Sequence, residues 1–361
     1  MATKSKKLKV GIIGTGGISV AHQGGYTKSQ LADVAAICDI KPDVLKDKGD
    51  RWAVPEDRRF INYHDLLAID ELDAISVCTP NLLHCEITVA ALKAGKHVIC
   101  EKPMAMNAAE CKQMNDAAAK ARRKLQIGLM CRFGPEANYV RKLREDGVLG
   151  NVYYARCKAI RRRGVPSWGV FGQVDKQGGG GVIDIGVHQM DLTWWLMGCP
   201  QPVAISGTTY RTIGNTPGHV GCFGPWDWQT YTVEDFAVGL VRFKNGATMS
   251  IECGFCVNLD KPSEGCHIVG DKGGAGLSPL SVQIEQSGHL LDCTPNHIGA
   301  LDLFYSAGGQ VSNYDREIAS FCQAVQENKP VWVPGTQVIW VQKMINGLYQ
   351  SAKAGREVAI R

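Results

Sequence analysis

Two rhythms of apolar and polar positions divide the chain. In the first part, short unbroken apolar runs at residues 8–13, 34–38, 72–78, 97–100 and 125–130 read as buried strands. Between them lie segments of helical period, from Ser19 to about Gln30, over 82–94 and over 107–123. Strand and helix in alternation predict a parallel, doubly wound sheet. After about residue 131 the rhythm changes. A helix at 136–146 leads to a long strand at 151–163 and a loop rich in Gly and Trp. Period-two alternation follows at 235–243, 247–257 and 281–286, the pattern of an antiparallel sheet with one covered face. Residues 314–326 and 336–353 read as amphipathic helices. The predicted fold is α/β, with a Rossmann-type domain at 1–130 and an α/β domain with a large, mainly antiparallel open sheet at 131–361.

Composition narrows the picture. The 361 residues suit two domains, and 45% hydrophobic with 21% charged is ordinary for a soluble globular chain. No apolar run approaches the roughly 20 residues of a membrane span, so no membrane partner is expected. The net charge of +5 is mild and dispersed apart from Arg161-Arg162-Arg163, which does not mark a nucleic-acid binder. Met1 to Lys9 is basic and polar and runs into the first strand without the apolar core of a secretory signal. Fourteen scattered cysteines then read as reduced core filler, and a cytoplasmic location is expected. Cys253 and Cys256 have CxxC spacing, but in a strand they would face opposite sides, and no second pair follows. No metal is expected.

Chemistry gathers at the predicted strand ends. Gly14-Thr15-Gly16-Gly17-Ile18-Ser19 follows the first strand and opens a helix, as a dinucleotide fingerprint requires. Gly14 allows the tight turn, and Gly16 lets the backbone approach a pyrophosphate. The second strand ends at Asp39, at the usual distance for an acid that binds a ribose 2′-hydroxyl, which favours NAD over NADP. Lys41 weakens that preference, and Asp39 as an N-cap before Pro42 is the alternative. Thr79, Asn81, Glu101, Lys102 and Arg132 all lie just past strand ends, on the carboxyl edge where ligands of open α/β sheets bind. Pro103 restricts Lys102 to an extended conformation, and a desolvated lysine is a proton-handling group.

In the second half, Gly178-Gly179-Gly180-Gly181 can bring the chain close to a ligand. A helix is predicted over 185–197 with Asp184 near its first turn, placing Asp184 and His188 on one face. His188 can exchange a proton with a hydroxyl, and Asp184 can orient it. An N-cap and a core histidine are the plain alternatives. Arg163 is a candidate for substrate or cofactor hydroxyls, and Trp168 for the apolar face of a sugar; a strand end with an aromatic plug accounts for both equally well.

Together these residues resemble the Gfo/Idh/MocA oxidoreductases over essentially the full length. The matching elements are Gly14-Thr15-Gly16-Gly17-Ile18 with His22, Thr79-Pro80-Asn81-Leu82-Leu83-His84, Glu101-Lys102-Pro103 and Asp184-Ile185-Gly186-Val187-His188, with Ser19 replacing a third glycine. The resemblance implies an NAD-binding domain at 1–130 and a substrate-binding and oligomerisation domain at 131–361, whose C-terminal helix can pack back on the first. It implies Lys102, His188 and Asp184 as catalytic residues, the Gly14–Ile18 turn on the cofactor, and Thr79, Asn81, His84 and Glu101 on its nicotinamide side. The stretch from Arg163 to Gly181 is similar to members that oxidise the 3-hydroxyl of glucosides, as in C-glycoside deglycosylation. The implied activity is hydride transfer between NAD and a secondary hydroxyl of a sugar, glycoside or cyclic polyol, in a homo-oligomer (dimer, tetramer or higher). His188 would be the base and Lys102 the group that polarises the same oxygen. The rival readings are a redox-assisted glycoside-cleaving enzyme that recycles its NAD and a non-enzymatic NAD-binding regulator.

Overall fold

The apolar runs of the N-terminal part pair side by side: β1 (Leu8–Ile13), β2 (Ala32–Cys38), β3 (Arg59–Phe60), β4 (Ala74–Val77), β5 (His97–Glu101) and β6 (Leu125–Gly128). All pairs are parallel, in the order β3-β2-β1-β4-β5-β6. The computed structural model describes residues 6–298 and 311–361, so the first five residues of the basic start of the chain lie outside it. β4 is buried at every position, which is why its sequence is a continuous apolar run rather than an alternation. The direction of winding reverses at β1, flanked by β2 and β4. The turns after β1 and β4 therefore sit at the switch point, with the end of β5 beside them.

By its internal contacts the chain divides into two units. The first comprises Met1–Ala105, Ala109–Phe133 and the described part of Leu303–Ile339; the second comprises Met106–Ala108, Gly134–Asp302 in its described part, and Trp340–Arg361. The chain thus returns to the first unit after the second has begun. The helix Asn313–Gln326 packs against the helix Ser19–Ser29, where Gly25 leaves room for Ile318: a Cβ there would stand 2.8 Å from the isoleucine side chain. Ile318, Phe321 and Cys322 join Val10, Ile12, Tyr26 and Ile37 in one core. A capping box between Ser312 and Asp315 fixes the start of this helix.

The second unit is built on nine strands: β7 (Val152–Ile160), β8 (Pro202–Tyr210), β9 (Phe236–Phe243), β10 (Thr248–Gly254), β11 (Ser263–Gly270), β12 (Gly273–Leu277), β13 (Ser281–Gln286), β14 (His289–Asp292) and β15 (Val358–Ala359). Their order is β14-β13-β12-β11-β7-β10-β9-β8-β15, antiparallel except for β7 with β10. Ala155, Cys157 and Ala159 of β7 alternate inward with Met249, Ile251 and Cys253 of β10, and the helix Val187–Leu196 packs on β7 and β11. Cys253 lies inside β10 and Cys256 beyond its end, so they do not share a strand face. No helix among the described residues is long and apolar enough to cross a membrane.

Candidate active site

In the first unit, the turn after β1 has the conformation its glycines imply. Gly14 has φ +88°, and a Cβ on it would lie 2.6 Å from the carbonyl oxygen of Cys78, so only glycine fits. At Gly16 and Gly17 the reason differs. A Cβ at either would meet nothing within 4 Å, so the bare backbone there faces open space. The helix Ser19–Ser29 begins without a side-chain cap, leaving its positive end available to phosphate, and Ser19 Oγ donates to Gly16 O (2.5 Å). Ile18 packs on the core beside this turn.

Asp39 is held at the same edge. Its carboxylate accepts from Thr15 N (2.8 Å), Thr15 Oγ1 (3.0 Å) and Lys41 N (2.9 Å). The N-cap of the helix Pro42–Arg51 is Lys41, so the capping alternative for Asp39 does not hold. Thr79 Oγ1 is buried with no hydrogen-bond partner among the described residues. An unmatched hydroxyl at the switch point, an open glycine turn and a pre-oriented carboxylate together fit a dinucleotide: a carboxamide for the first, a pyrophosphate for the second, a ribose diol for the third. Asn81, 8% exposed, follows on the next turn.

Three residues expected to line the cofactor are placed beneath the edge instead. Glu101 is 4% exposed; its carboxylate accepts from His22 Nε2 (3.0 Å) and Lys102 N (3.1 Å). Ser76 Oγ stands 3.0 Å from His22 Nδ1 and 2.7 Å from Tyr26 OH, so a buried chain runs Tyr26–Ser76–His22–Glu101 to the backbone of Lys102. His84, 1% exposed, faces Pro103 O through Nδ1 (2.7 Å) and Thr79 O through Nε2 (2.8 Å). It ties the two strand-end turns together. Burial lowers its pKa, opposed by the two carbonyls, each of which calls for an N–H. Arg132 is fully buried in the turn after β6 and donates to Gln337 Oε1 (2.8 Å), so its guanidinium braces the first unit from within. Lys102 is half-buried at the end of this framework, before a cis bond to Pro103.

In the second unit, the glycine run packs on its own chain rather than standing open. A Cβ on Gly180 would lie 2.5 Å from Glu234 O, and one on Gly181 2.7 Å from Gly254 Cα. The predicted helix starts earlier than its polarity suggests: a π-turn spans Val182–Gly186 and runs into the helix Val187–Leu196. Asp184 therefore lies inside the turn and is not an N-cap; it is 9% exposed, and His188 is half-buried one turn on. π-turns are frequent at functional sites because they redirect side chains within a helix.

Glu234 holds the start of this run. One carboxylate oxygen accepts from Gly180 N (2.9 Å), the other from Val182 N (3.0 Å) and Tyr349 OH (3.0 Å). Sequence reading missed it because an acid before a period-two strand looks like a solvated strand end; its one signal is the pair Glu234-Asp235 entering an apolar run. Burial raises its pKa above the ordinary 4.5, opposed by the N–H groups of Val182 and Gly180. The native state therefore binds more protons than the unfolded chain from about pH 4.5 up to the raised folded value. Stability from this group is fully present below that interval and is lost as pH rises through it. Glu234→Gln is expected to flatten this slope, measured as Tm by calorimetry between about pH 4 and 8; an unchanged slope would assign it elsewhere.

Arg163 donates to Arg162 O (2.8 Å), Val257 O (3.2 Å) and Asn258 Oδ1, so its guanidinium is spent on the end of β7 and the strand-end loop beside it. Trp168 is 57% exposed.

The parallel 3-2-1-4-5-6 sheet with its open glycine turn, oriented acid and unmatched hydroxyl defines a dinucleotide-binding oxidoreductase fold. Residues 8–129 match the oxidoreductase family NAD-binding Rossmann fold, and residues 141–360 match its C-terminal alpha/beta domain. The chain belongs to the Gfo/Idh/MocA oxidoreductase family and binds NAD through its first unit. It is 33% identical to a D-glucoside 3-dehydrogenase of Escherichia coli (strain K12) over 365 residues, 99% of either chain. It is 28% identical to a levoglucosan dehydrogenase of Pseudarthrobacter phenanthrenivorans over 270 residues, 68% of this chain and 67% of that one. Among solved structures, an aldose-aldose oxidoreductase from Caulobacter crescentus complexed with glycerol superposes with TM-score 0.80 at 25% identity, covering 98% of this chain and 100% of that one. A levoglucosan dehydrogenase in complex with NADH shares the fold, with TM-score 0.85 at 22% identity over 99% and 100% of the two chains.

Proposed function

We propose that the protein oxidises a secondary ring hydroxyl of a glycoside, at C3 of the sugar, with NAD. The observation that carries this reading is the Asp184–His188 run, whose start is locked by Glu234, in a chain whose NAD-binding sheet places Lys102 just past the end of β5. The full-length relation to a D-glucoside 3-dehydrogenase supports the substrate class. NAD held at the Gly14–Ile18 turn and Asp39 would supply the hydride acceptor for the carbinol carbon. His188 accepts the hydroxyl proton, and Asp184 orients the imidazole. Lys102 donates to the oxygen as negative charge develops on it, stabilising the alkoxide-like transition state. The Tyr26–Ser76–His22–Glu101 chain and the His84 tie hold the backbone on both sides of Lys102, so the ammonium needs little reorganisation as the reaction proceeds.

The reading includes a homo-oligomer in the cytoplasm. It is supported by the burial of most of the fourteen cysteines and by β9, where Val238 and Leu240 stay half-exposed opposite the buried Ala237 and Val241. Net NADH formation over a panel of glucosides, free hexoses, inositols and N-acetylated sugars tests the activity. Glucosides are expected to give the highest kcat/KM. No NADH and no oxidised product from any of them would remove the proposal, and product without net NADH would mean that the cofactor is recycled.

A further inference from the structure

A cavity of about 200 Å³ in the second unit is walled by residues 165–173 on one side and by Trp226, Asp227, Thr230 and Tyr231 on the other. Trp168 stands at this cavity. It packs nearly at right angles to Phe171 (centroids 6.3 Å apart) and Phe223 (5.4 Å), yet remains 57% exposed. The indole is thus held without being covered. Phe223 is itself 44% exposed and has the Arg161 guanidinium 5.6 Å from its ring centre.

Several polar groups of the lining build the wall. Ser167 Oγ donates to Phe223 O, Trp226 Nε1 to Gly214 O (2.7 Å) and Tyr231 OH to Glu234 O (3.2 Å). Asp227 accepts from Gln229 N (3.1 Å) and Thr230 Oγ1 (2.9 Å). The exposed indole face of Trp168 is left for a ligand. A single planar six-membered ring needs only stacking surface, and a cavity of roughly 150 Å³ already holds benzene.

The cavity is also linked to the Asp184–His188 run. Thr232 N donates to Gly172 O (2.8 Å) and Val174 N to Thr232 Oγ1 (3.0 Å), while Glu234, two residues on, holds Gly180 and Val182. One strap, residues 231–234, therefore forms part of the cavity wall at one end and anchors the catalytic run at the other.

From this arrangement we infer that the cavity receives the aromatic aglycone of a glycoside, with Trp168 as its stacking partner. The inference rests on the proposed oxidation of glycosides and specifies which ones. Its test is calorimetric titration of the NAD-loaded protein with phenyl and methyl glucosides of the same anomeric form. The phenyl glucoside is expected to bind about tenfold more tightly. Trp168→Ala should bring that ratio close to one, and Trp168→Phe should restore most of it. Equal affinities in the wild type, a ratio untouched in Trp168→Ala, or cellobiose binding more tightly than phenyl glucoside would each overturn the assignment. NADH formation recorded in parallel separates the two ideas. Turnover without the phenyl preference removes the aglycone site and leaves the oxidation; phenyl preference without turnover of any glycoside does the reverse.

Discussion

Replacing His188 with alanine is expected to lower the single-turnover rate of NADH formation by roughly 10²–10⁴-fold, the usual contribution of a positioned general base. Lys102→Ala is expected to cost about 10²–10³-fold, as for loss of a donor aimed at developing negative charge. NAD affinity, measured separately by fluorescence, distinguishes a lost chemical step from a lost cofactor. Arginine at position 102 keeps the charge but replaces a compact ammonium with a broad planar fork, so it should rescue little. Each rate has its own structural origin. His188 is set by a helical run whose first N–H groups are bound by Glu234, and Lys102 by a strand end whose neighbours are tied by His84 and Glu101. Near-wild-type rates in either variant would remove that residue from the scheme.

The second large effect separates two glycines that look alike in sequence. Gly181→Ala places a Cβ 2.7 Å from Gly254 Cα and 2.9 Å from both Gly254 C and Phe255 N, all backbone atoms that cannot swing aside. Overpacking of this kind costs about 1–3 kcal/mol or more, and the nearest relief is displacement of the run that carries His188. Tm and the rate of NADH formation should fall together. Gly16→Ala meets nothing within 4 Å, so Tm should hardly move, while the dissociation constant for NAD should rise about tenfold as the methyl occupies the pyrophosphate's approach. Thermal unfolding with and without NAD reads both. A stable Gly181→Ala, or a Gly16→Ala that unfolds early with unchanged NAD affinity, would contradict the packing described for them.

The Rossmann half was legible because its central strands, β4 above all, are buried on both faces and appear as apolar runs bounded by turn residues; the two-residue β3 left no such run. Much of the second sheet was not. β11 and β12 carry Gly265, Gly270, Gly273, Gly274 and Gly276, which dilute the alternation, and β15 is only two residues long. The helix bearing His188 buries polar as well as apolar positions (Gln189, Asp191 and Thr193 among them), so neither it nor its π-turn start shows an amphipathic stripe. At the site, sequence position identified which residues stand at strand ends but not which way their side chains turn. Glu101, His84 and Arg132 follow strands as cofactor-lining residues would, yet each turns inward to a partner brought by another segment: His22 from the first helix, Pro103 from the neighbouring turn, Gln337 from the returning chain. Glu234 was invisible for the same reason, since its partners lie more than fifty residues away in sequence.

Transfer of deuterium from a glucoside labelled at C3 to NAD, read by mass spectrometry of the reduced cofactor, tests the central claim most directly. The account predicts deuterated NADH in the wild type, none from a glucoside labelled at C2 or C4, and loss of label transfer in His188→Ala. Unlabelled NADH from the C3-deuterated glucoside would contradict it.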